Sequence, residues 1–173
     1  MMVRWLREAV AASWLLLIGR LWLGYEWLTA GVEKVSDPTW TGNQAGVALT
    51  NFLKGALSKG TGAHPEVQGW FMDFLNGAVI PNTKVFTYLV PWGEVLVGIA
   101  LLTGCLTTFA ALAGAFMNTM FLLAGTSSTN PQMLIMAIII MVAGLNAGKI
   151  GLDRYVIPWL RKRIPLLANP KLR

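Results

Sequence analysis

Five ionisable side chains stand inside apolar sequence, and their types define the chemistry open to this chain. Arg20, Glu26, Glu33 and Lys34 fall within the apolar run 10–35, and Glu94 falls within a second run, 84–103. A charge at mid-bilayer costs about 2.5–3.5 kcal/mol on insertion scales, so such groups need partners inside the protein. A buried arginine with two carboxylates is a charge-matched cluster. It can move a proton, bind the polar head of a quinone or recognise a small anion. The alternative is that the cluster only holds helices together. Polar contacts between membrane helices average about 0.6 kcal/mol, so glue alone is an expensive use of charge.

Four helical spans must position these groups, at about 10–35, 84–103, 108–124 and 131–149. A span needs about 20 mostly apolar residues. Along the first, Arg20, Leu23, Gly24, Trp27, Gly31 and Lys34 share one face, and Trp22, Glu26, Thr29, Ala30 and Glu33 another. If the hydrocarbon begins near Trp14, Arg20 lies about 9 Å inside it, and Glu26, Glu94 and Asn118 lie near its middle. The expectation is that Arg20, Glu26, Glu94 and Asn118 meet in one bundle. Lys34 and Glu33 fall near the outer end, where long side chains reach water cheaply; Glu33 reads as solvated. Pro91 interrupts the second span one turn before Glu94 and frees the carbonyl of Thr87.

The connection 36–83 is too polar to be a span, but its part 44–80 reads as interfacial. Residues 45–57 are weakly amphipathic, and 66–80 strongly so: Val67, Trp70, Phe71, Phe74, Leu75, Ala78 and Val79 follow helical spacing, with Pro65 at a first helical position. Asn130 and Pro131 suit the start of the fourth span, and Gly144 and Gly148 form a close-packing pair within it. The basic tail 151–173 reads as an interfacial segment and then a loose end. The fold expected is an all-α membrane domain over 1–173. Its four transmembrane helices form an up-down bundle, with amphipathic helices in the outer loop between the first two. Arg4 and Arg7 at one end, and Lys149, Arg154, Arg161, Lys162, Arg163, Lys171 and Arg173 at the other, place both termini in the cytoplasm of a multi-pass cell-membrane protein. The N-terminus is similar to a signal peptide, but its apolar run continues through Arg20 and reads as an uncleaved first span.

Composition supports the same class. Of 173 residues 55% are hydrophobic and 13% charged, and the mean hydropathy is +0.56. The net charge of +6 therefore speaks for lipid headgroups and not for nucleic acid. One cysteine, Cys105, excludes an internal disulfide, and one histidine, His64, excludes bis-histidine haem ligation. No phosphate loop, flavin motif or metal-ligand spacing is present. Most of the eight tryptophans suit interface belts, whereas Trp22, Trp27 and Trp92 are deep enough to stack on a flat head group.

The segments GRLWLGYEWLTAGVEK (19–34), GEVLVGIALLTG (93–104) and GLNAGKIGLDR (144–154), with the small-residue helix carrying Asn118, resemble the DoxX family. The long outer connection is similar to that of its larger members, described as similar to the large subunit of thiosulfate:quinone oxidoreductase. The resemblance implies a four-helix membrane bundle linked to the quinone pool, sulfur oxidation or thiol stress. It implies functional roles for the matching polar positions Arg20, Glu26, Lys34, Glu94 and Asn118: catalytic for Glu94, Glu26 and Arg20, and quinone-binding for Arg20, Lys34 and Asn118, with the deep Trp27 and Trp92 as the stacking partners that their depth suggests. With no electron carrier of its own, the chain would act with a second redox subunit or on a substrate that meets quinone directly. Two readings follow: a quinone-linked oxidoreductase subunit, or a non-enzymatic membrane scaffold or solute- or lipid-handling module, as a homo-oligomer or with a partner protein.

Overall fold

The computed structural model describes residues 1–164, so the end of the tail expected over 151–173 lies outside the described residues. Every regular element among the described residues is helical. A short basic helix, α1 (Met2–Glu8), stops where Ala9 turns extended, and α2 (Val10–Ser36) follows, ending one residue past the expected span. After the connection described below, α5 (Thr83–Thr103) returns antiparallel along α2. Glycines bring the two backbones into contact. A Cβ at Gly98 would stand 2.6 Å from the Leu28 nitrogen, and one at Gly31 would stand 2.6 Å from the Val95 nitrogen. Close backbone approach of this kind lets van der Waals contact run along both helices. Pro91 is absorbed inside α5 without ending it.

Two further helices complete the main core. α6 (Thr107–Leu123) packs against α7 (Asn130–Ala143), and one buried cluster draws Leu23 and Trp27 from α2, Leu101 from α5, Ala111 and Ala115 from α6, and Ala137 and Ile140 from α7. The expected continuous helix over 131–149 does not form. Gly144 takes φ +60, its N–H bonds back to Ile140 and Met141, and a separate turn, α8 (Leu145–Gly148), follows. Gly144 therefore acts as a helix stop, a role its missing Cβ permits. It has no neighbour within 4 Å of a built Cβ, while Gly148 admits the carboxylate of Asp153. The expected pair of glycines on one packing face is thus split between two jobs.

Among the described residues one helix, α5, is long and apolar enough to cross a membrane, at a mean hydropathy of 1.8. α6 and α7 are apolar but have 17 and 14 residues. At 1.5 Å per residue α7 alone reaches only about 21 Å. α2 has the length, at 27 residues, but carries Arg20, Glu26, Glu33 and Lys34.

The connection between α2 and α5 folds into a cap of α3 (Val47–Ser58), α4 (Gly69–Phe74) and a π-helical turn, Leu75–Val79. Its core joins Leu49, Leu53, Val67, Phe71, Leu75 and Val79, with Phe86 of α5 and Met120 and Leu123 of α6 packed against it. The helix expected over 66–80 is shorter at its start. The N–H groups of Glu66 and Val67 bond to the Lys59 carbonyl, so the chain turns there and helix begins only at Gly69; Pro65 precedes it in the loop. At the opposite end of the molecule α1, α8 and α9 (Asp153–Arg163) come together.

Candidate functional site

Lys34 and Glu94 form a buried ion pair where the α2–α5 seam meets the cap. The Lys34 ammonium donates to both carboxylate oxygens, at 2.9 Å and 2.7 Å. Glu94 is 1% exposed, whereas the Lys34 side chain keeps 24% of its surface open. Gly31, one turn before Lys34, makes the approach possible, since a Cβ there would come within 3.0 Å of the Glu94 Cβ. The ammonium also lies 5.8 Å from the Trp40 ring centre and 5.9 Å from that of Phe121, both within cation–π range. Trp40 is held by the Thr87 hydroxyl, which donates to its carbonyl, and Phe121 by an edge contact with Phe52 of α3.

Deeper along the same face of α2, Trp27 is 2% exposed and its indole nitrogen has no hydrogen-bond partner. It abuts Gly114 of α6, where a Cβ would stand 2.8 Å from that nitrogen. One turn further along α6, Asn118 is 0% exposed, and neither its amide nitrogen nor its oxygen finds a partner. A buried amide without partners costs about 1–3 kcal/mol. Such a cost sets these two buried polar groups apart from the rest of the interior.

The expected meeting of Arg20, Glu26, Glu94 and Asn118 does not occur. Arg20 lies at the far end of α5, where its guanidinium donates to the carbonyls of Ala147 (3.3 Å) and Ile150 (2.7 Å) and wedges against Gly104 and Gly151. Fourteen residues separate it from Lys34 on α2, roughly 21 Å along the axis. Glu26 is only partly buried and forms no ion pair among the described residues. Trp92 is 50% exposed, so its indole lies on the outer face of α5, away from the pair. The structure therefore brings Lys34 and Glu94 together, sets Trp27 and Asn118 in the same interior, and leaves Arg20, Glu26 and Trp92 elsewhere.

Asp153 joins Arg20's end of the molecule and was not singled out from sequence. Its carboxylate accepts from the N–H groups of Leu106 (2.6 Å) and Thr107 (2.9 Å), fixing Leu106 at φ +52 and capping α6. Among the described residues no three His, Cys, Asp or Glu side chains converge to hold a metal ion.

An all-α chain with a charge-bearing interior, lined by apolar side chains inside and out, is the design of a helical membrane protein. A family model for DoxX matches residues 15–126, and the chain belongs to that membrane-associated family. No curated protein and no solved structure shows a significant match to the chain.

Proposed function

We propose that the chain is a multi-pass subunit of a quinone-linked membrane oxidoreductase, with α2, α5, α6 and α7–α8 as four spans and both termini cytoplasmic. The short α7 and the α8 turn together supply the fourth crossing, with α1 and α9 lying along the cytoplasmic face. The observation that carries the reading is the Lys34–Glu94 pair: a carboxylate sealed from solvent, held by an ammonium that remains reachable beneath Trp40 and Phe121.

The donor set suits a quinone head. Its two carbonyls are acceptors, and Lys34, the Trp27 indole N–H and the Asn118 amide are donors with capacity to spare. Bound quinone would supply two-electron redox chemistry, with the electrons coming from a partner or a small reductant such as a sulfur compound. The chain's own contribution is to orient the head between aromatic faces, to exclude water under the α3–α4 cap, and to hold a proton at the Glu94 carboxylate or the Lys34 ammonium. Arg20 stands too far away to share that step.

The test is solvent extraction of protein purified in mild detergent, with a quinone assay. Near-stoichiometric quinone in the native protein, lost in Glu94→Gln while the helical content is kept, supports the reading. Equal quinone retention in the Glu94→Gln and Lys34→Gln variants removes the site from that role.

A second reading, a scaffold for another membrane protein, is favoured by Glu26. This carboxylate lies midway along α2, unpaired among the described residues, on an outward face shared with exposed Trp22, Tyr25 and Glu33. A carboxylate at that depth needs a donor from a neighbouring helix. Co-purification of a partner that is lost in Glu26→Leu distinguishes this role from quinone binding.

A further inference from the structure

A cavity of about 280 Å³ lies at the α1–α8–α9 corner, lined by Arg7, Lys149, Arg154 and Arg161, with Asp153 at its base and Leu145 and Ile157 on its apolar side. We propose that this cavity binds the phosphate of an anionic phospholipid headgroup at the cytoplasmic surface; the proposal rests on the membrane placement given above, but not on quinone binding.

Three observations support it. First, the charge within the cavity is strongly positive. Asp153, the one acid in it, is already committed to the N–H groups of Leu106 and Thr107. Lys149, Arg154 and Arg161 form no ion pair among the described residues. Arg7 uses only its Nε, on the Val142 carbonyl, leaving its terminal nitrogens free.

Second, the corner is built rigidly. Asn146 donates to the carbonyls of Leu6 and Ala9, tying α8 to α1. Arg20 ties α8 and the loop after it to α2. The Leu152 and Asp153 N–H groups bond to the carbonyls of Thr103 and Gly104, tying α9 to the end of α5. Four cations are thus carried on elements that do not need a ligand to hold them together.

Third, the surroundings suit a lipid better than a free anion. Leu145 of the lining is exposed, as are Leu152, Tyr155 and Trp159 on the turn before α9 and on another face of α9, and aromatic side chains of this kind settle at the headgroup level. Arg154 stacks on Tyr155, and Arg163 on Trp159. Basic pockets between membrane elements on the cytoplasmic side are suited to phosphate headgroups.

The experiment is native mass spectrometry of the full chain released from detergent, titrated separately with phosphatidylglycerol, phosphatidylcholine and inorganic phosphate. The expected result is a preference for phosphatidylglycerol that falls roughly 30-fold in the Arg154→Gln/Arg161→Gln variant, taking about fivefold for each basic residue at an anionic surface. The Lys162→Gln/Arg163→Gln variant removes the same charge outside the cavity and is expected to keep most of the preference. Equal losses in the two variants would mean diffuse surface charge and would overturn the site. Binding of inorganic phosphate, sensitive to Arg154 and Arg161 but without preference between the lipids, would overturn the lipid assignment in favour of a soluble anion. Quinone content, read in the same preparations, reports separately on the function proposed above.

Discussion

Gly31 lies directly against Glu94, and that contact sets the register that puts Lys34 on the carboxylate. A Cβ at Gly31 would meet the Val95 nitrogen at 2.6 Å and the Glu94 Cβ at 3.0 Å. The backbone atom cannot swing away as a flexible side chain would, so α2 and α5 would have to separate. Gly31→Ala is expected to destabilise the protein by about 1–3 kcal/mol, the usual cost of overpacking, and to loosen the ion pair. Gly55, inside α3 with nothing within 4 Å, is the matched control. Gly55→Ala is expected to be neutral or to stabilise by about 0.5–1 kcal/mol through helix propensity. Thermal unfolding in detergent compares the two directly; a Gly31→Ala midpoint at or above that of Gly55→Ala would refute the close-packed seam.

The ion pair should behave asymmetrically when it is broken. Lys34→Met leaves a sealed carboxylate with no cation and is expected to cost about 3–5 kcal/mol. Adding Glu94→Leu removes the stranded charge and is expected to restore much of that loss. A double-mutant cycle over Lys34 and Glu94 measures the coupling. Additive effects would mean that the two residues do not depend on each other in the folded protein.

The two polar ends of the molecule should fail independently. Asp153→Ala strands the N–H groups of Leu106 and Thr107 and removes the group seated against Gly148. Two lost bonds to a charged acceptor are expected to weaken that corner by about 3–6 kcal/mol. Hydrogen exchange should rise at the start of α6 and in α9, with no change around Lys34. Uniform loss of protection along the whole chain would show that the corner and the ion pair form one cooperative unit.

Helix positions in α2 and α5 were legible because long apolar runs with clear stops leave few alternatives. Asp37 and Pro38 close the first, and Gly104, at φ +67, closes the second. The break at Gly144 was not, since a GxxxG pair reads equally as a packing face. Depth arguments put Glu94 near mid-span but could not say which cation it meets. That choice is made by antiparallel register, and the clue was present: seating Gly98 at Leu28, between Gly24 and Gly31, brings Lys34 level with the turn that carries Glu94. Depth and charge matching set Arg20 with Glu26, Glu94 and Asn118; it is buried as expected, but two glycines, Gly104 and Gly151, give its long side chain room to run towards the carbonyls of α8 and the loop after it. Asp153 was invisible because its partners are backbone N–H groups, which leave no mark on side-chain patterning.

Asn118 offers the sharpest separation of stability from function. Its amide is fully buried with no partner for nitrogen or oxygen, so a leucine of similar size has no hydrogen bond to break. Replacing a polar group of this kind by an apolar one is neutral or stabilising, because the cost of burying the bare amide disappears. Asn118→Leu is therefore expected to raise the unfolding midpoint, by an amount corresponding to about 1–2 kcal/mol. If the amide serves a quinone head, the same substitution lowers quinone retention, and stability and ligand content move in opposite directions. A protein that gains stability and keeps its quinone would mean that Asn118 plays no part in binding. A protein that loses both would mean that the amide has a structural partner, such as a buried water bridging it to the Trp27 indole.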